Sequence, residues 1–324
     1  MAEFVLNSKV DPSWFQCTNI GRATHPLLSS ASHKVRWAEV HLEALMVSTL
    51  DYLGAPGRLP VLQADLDVVS GYHVFRIESM PDYFELIANT ALRIGDVVGN
   101  LRPALDHAIW SIVTSRVGSD DRFRPRDVAF PVSESGGLMR NRAAKAIQPY
   151  LSKEEWQVVT LALLDNPYPG SDGVYGTWGR WLSGHDHPLR MLQKLSNDDK
   201  HRLLPTVLLL PTVMVFQNLG PQAQRLELLY GNSEAVSVPD VYQAPYGTPA
   251  APGIEVYRVR FANSPPPHIS NAGQVNPQLA FQDASQVIQT LDRITCFIKH
   301  LLREFERVLP SPFADSPEMQ IERA

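Results

Sequence analysis

Cysteine is scarce in this chain: two in 324 residues, Cys17 and Cys296, far apart and without metal-ligand spacing. That excludes a disulfide framework and a zinc-finger site, and both are expected as free thiols in a reducing cytosol. Positive charge is not in surplus either. Lys and Arg total 29 against 34 Asp and Glu, a formal charge of -5, so a phosphate-binding role would need a local basic patch. Long apolar runs are missing. The strongest, LLPTVLLLPTVMVF at 203–216, is broken by Pro205 and Pro211; it is too short for a bilayer and reads as buried strand. The start, MAEFVLNSKVDPSWF, has no basic stretch leading into an apolar one, so no signal peptide, no membrane association and a cytoplasmic location are expected. No G-x-S-x-G, Walker A or dinucleotide fingerprint occurs, and Gly136 with Gly137 lacks the strand-then-helix context of a phosphate loop.

What is present is ordinary globular material, 44% hydrophobic and 19% charged, in a chain long enough for a substantial core. Residues 1–30 show no clear period and read as an N-terminal arm, and 31–324 read as a single domain. Val35, Ala38, Leu42, Leu45, Thr49 and Leu53 repeat at helical spacing over 31–53. A second, much longer helix is expected over 82–117, with a seam of Ile87, Ala91, Ile94, Val98, Leu101, Leu105, Ala108 and Ile112. Pro188 suits the first turn of a third helix, 187–203. A fourth, 284–309, repeats Val287, Leu291, Ile294, Ile298, Leu301, Phe305 and Val308 before Pro310 stops it.

Between the helices, 59–79 reads as a β-hairpin around Ser70-Gly71, and 203–282 as a second β insertion including RLELLYG and IEVYRVRF. DVAFPV at 127–132 looks like a short strand. SKEEW at 152–156 has the form of a capping box, Ser152 with Glu155, opening a helix to about 164. The fold class is α+β: a helical bundle of four long helices from distant parts of the chain, with an inserted antiparallel β-sheet.

Two polar clusters interrupt these apolar seams. In RIGDVVGNLRPALDHAIW, 93–110, Arg93, Asp96, Asn100 and His107 share one helical stripe, Trp110 stands one turn after His107, and Arg102 precedes Asp106 by the four residues of an ion-pair spacing. Pro103 removes a backbone donor beside them and should bend the helix. The second cluster, LSNDDKHRLL at 195–204, places Asn197 with His201 and Asp198 with Arg202 four residues apart.

Together the two segments resemble a group of bacterial proteins with the outlines GDxxHNLRSALDH and LSNxDKHR. More distantly, the Arg-x4-His spacing from Arg102 to His107 is similar to the HEPN superfamily. Two positions depart from these patterns: Pro103 follows the Arg where ribonuclease members carry a polar residue, and Gly99 stands where the bacterial outline has His. The resemblance implies a helical, metal-independent ribonuclease of RNA-processing, toxin or antiphage type, acting on RNA or a nucleotide as a homodimer. In it His107 would move a proton and Arg102 would stabilise phosphate charge. Asp106 or Asn100 would orient them, and Asp96, Lys200 and His201 would support the site. No metal or cofactor is expected.

A different reading is a non-catalytic binding or scaffold protein, with the Arg, Asp and His set fixing helix register through buried hydrogen bonds. A metal hydrolase on Asp106, His107, Asp199 and His201, or on His185 and His187, is the weakest, because neither cluster pairs two histidines at helical ligand spacing.

Overall fold

Burial at every third or fourth position creates the first helix. Ala31, Val35, Ala38, Leu42, Leu45 and Thr49 are all buried along α1, Ser29–Gly54, as a helix with one apolar seam requires. A 3-10 turn at Pro26–Leu28 leads into it, capped by the His25 side chain. The computed structural model describes residues 21–117, 123–132, 141–163, 187–201, 206–209, 241–243, 248–260, 277–281 and 285–311.

After α1 come β1 (Val61–Asp67) and β2 (Tyr72–Ser79), an antiparallel hairpin. Its turn is set by Asp67, whose carboxylate accepts from the Val69 and Ser70 amides, and by Gly71 at φ +74, a conformation that favours glycine. The 34-residue α2, Phe84–Val117, starts where the Asp82 carboxylate accepts the Phe84 N–H and continues through Pro103. Next come the short α3 (Arg142–Ile147), α4 (Lys153–Ala162) and α5 (Pro188–His201). Strands β3 (Thr206–Leu209), β4 (Val241–Gln243), β5 (Glu255–Arg260) and β6 (Gln278–Phe281) follow, then α6 (Val287–Val308). The fold is therefore mixed helical with antiparallel sheet, of four strands in the order β1-β2-β5-β4 and of two strands, β3-β6. RLELLYG lies outside the described residues.

Where the sequence suggested one domain over 31–324, the chain divides into two compact units. One comprises Met1–Glu43, Leu92–Leu204 and Gln289–Ala324, the other Ala44–Ala91 and Pro205–Ile288. The divisions fall inside α1, α2 and α6. The second unit packs Leu62, Val74, Phe75, Ile77, Val256 and Tyr257 on its sheet, with the Phe75 and Tyr257 rings 6.0 Å apart across β2 and β5.

In the first unit the capping box forms as its sequence requires: the Ser152 hydroxyl accepts the Glu155 N–H and the Glu155 carboxylate accepts the Ser152 N–H. Glu155 is wholly buried, and Arg116 of α2 donates to both of its oxygens. On α6 the seam residues Leu291, Ile294, Ile298, Leu301 and Phe305 are buried. Its last turn holds the start of the described chain: the Glu306 carboxylate accepts from the Thr24 and His25 amides and the Thr24 hydroxyl. Arg303 donates to the Arg22 carbonyl, and the His25 Nε2 lies 3.0 Å from the Pro310 carbonyl. Burial pushes the Glu306 carboxyl up, but these hydrogen bonds and Arg303 carry it below the usual range.

Two expectations are corrected. Residues 127–132 form no strand: a 3-10 turn covers Pro125–Asp127 and the rest pairs with no strand. Cys296 is not a free thiol but disulfide-bonded, and Cys17 lies outside the described residues. Spacing along the chain says nothing of which sulfurs meet in space, and the cysteine count no longer argues for a reducing cytosol. Among the described residues no helix is long and apolar enough to cross a membrane.

Candidate functional site

The missing strand at 127–132 explains what Arg102 and Asp106 do. One helical turn apart on α2, they form an ion pair at 3.3 Å and both bind the backbone of Phe130. The Phe130 N–H donates to Asp106 Oδ1 at 2.9 Å, and Arg102 Nη2 donates to the Phe130 carbonyl at 3.1 Å. Two side chains thus supply the donor and acceptor that a neighbouring strand would have offered. The Phe130 ring is buried. Burial lowers the pKa of the Arg102 guanidinium and Asp106 opposes the shift. Its Nη1 is buried without a hydrogen-bond partner, an uncompensated donor of the kind that costs stability.

His107 belongs to a different face. Five residues beyond Arg102 is a rotation of about 140° around the helix, and the His107 Nδ1 meets the Ser30 hydroxyl of α1 at 2.7 Å. The sequence reading missed Ser30 because it lies 77 positions away. A serine beginning a helix is so common that its position carried no signal. Ser30 is exposed and His107 half-buried. A serine hydroxyl on Nδ1 fixes the ring plane and leaves Nε2 for other chemistry. If the hydroxyl donates, the ring is neutral with its proton on Nε2; if Nδ1–H donates, Nε2 can act as a base and, once protonated, as an acid.

The supporting residues separate further. Asn100 turns back on its own helix, its amide donating to the Asp96 carbonyl at 2.8 Å. The Asp96 carboxylate lies 3.7 Å from the His41 Nδ1 of α1, and the His41 ring stands 6.2 Å from Trp37. The polar stripe of α2 therefore meets α1, at Asp96 with His41 and at His107 with Ser30, while Arg102 and Asp106 meet Phe130.

The two sequence clusters do come together, through Gly95 and Asp199. A Cβ on Gly95 would stand 2.5 Å from Asp199 Oδ1, so the Asp199 carboxylate of α5 rests against α2 in space that a side chain at 95 would contest. On α5, Gln193 donates to the Asn197 side chain at 2.9 Å. Lys200 and His201 close the helix, and their side chains lie outside the described residues.

This arrangement can move a proton at His107 and can hold an extended segment at Phe130. It does not bring Arg102 and His107 to one point through any contact among the described residues. No family model, curated protein or solved structure matches the chain.

Proposed function

We propose that the protein processes RNA as a HEPN-like, metal-independent endoribonuclease, with His107 as its proton-transfer group and a helical bundle as its frame. The observation that carries this reading is the 2.7 Å hydrogen bond between the Ser30 hydroxyl and His107 Nδ1, which orients an accessible imidazole as acid–base chemistry needs. In the reaction, His107 takes the proton of a ribose 2′-hydroxyl as its oxygen bonds to phosphorus. The bond to the 5′-oxygen breaks, and that oxygen receives the proton back, leaving a 2′,3′-cyclic phosphate and a 5′-hydroxyl. Arg102 acts here as a positioning residue, through Phe130. The reading carries a homodimer with it, which sedimentation checks directly.

A second reading has its own support. The Arg102–Asp106 clasp on Phe130 favours a non-catalytic binding or scaffold protein, in which NLRPALDH is a packing motif.

Purified wild-type protein and a folded His107→Ala variant, incubated with total RNA and with tRNA in the presence of chelator, separate the two. Cleavage that disappears in the variant supports the ribonuclease. Absence of cleavage by wild type across a range of salt concentrations leaves the scaffold.

A further inference from the structure

Beyond the end of α2 the first unit holds a cleft of about 250 Å³, lined by Phe123, Arg124 and Asp127 around the 3-10 turn and by Arg142, Lys145 and Tyr150 of α3 and the turn after it. In a chain of net charge -5, Arg124, Arg142 and Lys145 there face one carboxylate among the described residues, Asp127. Asp127 holds Arg142 in place, with Nη2 at 2.8 Å. The Arg124 guanidinium donates to the Phe123 carbonyl at 3.2 Å. Lys145, exposed on α3, adds a third positive charge to the lining.

The other wall is aromatic. Phe123 and Tyr150 meet edge to face with centroids 5.9 Å apart, and Trp110 of α2 stands 6.2 Å from Phe123. Trp110 keeps 41% of its surface in water. It lies three residues from His107, about 4.5 Å along the helix axis.

We infer that this cleft binds one nucleotide of a single-stranded RNA, the base against the Phe123–Tyr150 wall and the phosphate on Arg142 and Lys145. A cationic patch alone would take any phosphate; the aromatic wall beside it selects a phosphate that carries a planar base. A base is free to stack there only when it is unpaired, which excludes a duplex. Trp110 links the cleft to His107, so the bound nucleotide lies beside the phosphodiester that His107 acts on. That last clause rests on the ribonuclease reading, and binding in the cleft does not.

The test is fluorescence anisotropy of a 5′-labelled six-residue oligoadenylate RNA with the full chain at low and moderate salt. It compares wild type with Arg142→Glu/Lys145→Glu, exposed positions whose variants circular dichroism should show folded, and with Tyr150→Leu. The expected result is salt-sensitive binding, weakened at least tenfold by charge reversal and about fivefold or more by loss of the ring. Binding that survives both substitutions, no binding by wild type, or equal competition by inorganic phosphate overturns the proposal. Cleft-dependent binding without cleavage by wild type keeps this proposal and removes the ribonuclease.

Discussion

The Asp199 carboxylate on α5 lies where a Cβ on Gly95 of α2 would have to be, 2.5 Å from that position. The obstructing atom is the end of an exposed side chain, so it can swing away at a cost. Replacing a helical Gly by Ala otherwise gains about 0.8–1.0 kcal/mol. Gly95→Ala alone should therefore gain less than this, and in an Asp199→Ala background it should gain the full amount. A double-mutant cycle in urea measures the difference; strict additivity would mean that the two residues do not press on one another.

Asp106→Ala removes the acceptor of the Phe130 N–H and the counter-charge of Arg102 in one step. The expected loss is about 1–3 kcal/mol, read from denaturant midpoints. Arg102→Lys should destabilise too, because an ammonium cannot reproduce the fork that reaches Asp106 and the Phe130 carbonyl together. A variant with wild-type stability and abolished RNA cleavage would instead make Arg102 catalytic.

Glu155 is wholly buried and paired with Arg116. Arg116→Ala leaves it buried with only the Ser152 amide, and should cost about 3 kcal/mol, the low end for breaking a buried pair, because Arg116 keeps 29% of its side chain in water. Ser152→Ala removes one capping hydrogen bond and should cost about 1 kcal/mol. Thermal unfolding of the two variants side by side tests the ranking, and a milder effect from Arg116→Ala would contradict it.

Two acids should titrate stability in opposite directions. Burial raises the Asp292 carboxyl above its ordinary 3.8, with Lys299 opposing and Glu39 adding to the shift. Its favourable contribution exists below that value and is lost as pH rises through the raised folded pKa. Asp292→Asn, a mimic of the protonated form, should raise Tm at neutral pH and lose that advantage in acid. Glu306, held below its ordinary 4.5, contributes above that value and loses its contribution as pH falls through the lowered pKa. Glu306→Gln should lower Tm at pH 7 and matter little in acid. Tm measured from pH 3 to 8 would sink this account if both variants shifted in the same direction.

Legibility in the sequence followed the range of the interaction. The seams of α1 and α6 were readable because burial repeats every three or four residues, and the Ser152–Glu155 box because both partners lie within one turn. The Arg102–Asp106 spacing was legible too, but what the pair holds was not: Phe130 is 28 and 24 positions away. Residues 127–132 have the composition of a strand, and only tertiary structure decides whether a strand or two side chains satisfy their backbone. Ser30 beside His107 failed for the same reason, and the cleft gathers its residues from either side of 133–140, which lies outside the described residues.

The Glu306 clasp has a consequence for how the protein comes into being. Synthesis delivers Thr24 and His25 long before Glu306, which follows them by 282 and 281 positions, while everything in the second unit has been made by Ile288. The sheet-bearing unit can therefore mature while the chain is still being translated. The unit carrying His107 must wait until α6 has been made, because Gln289–Ala324 belongs to it. Contacts this distant in sequence also slow folding. For that interval the apolar residues of the first unit are incompletely covered, the condition in which a nascent chain is prone to aggregate and a chaperone matters most.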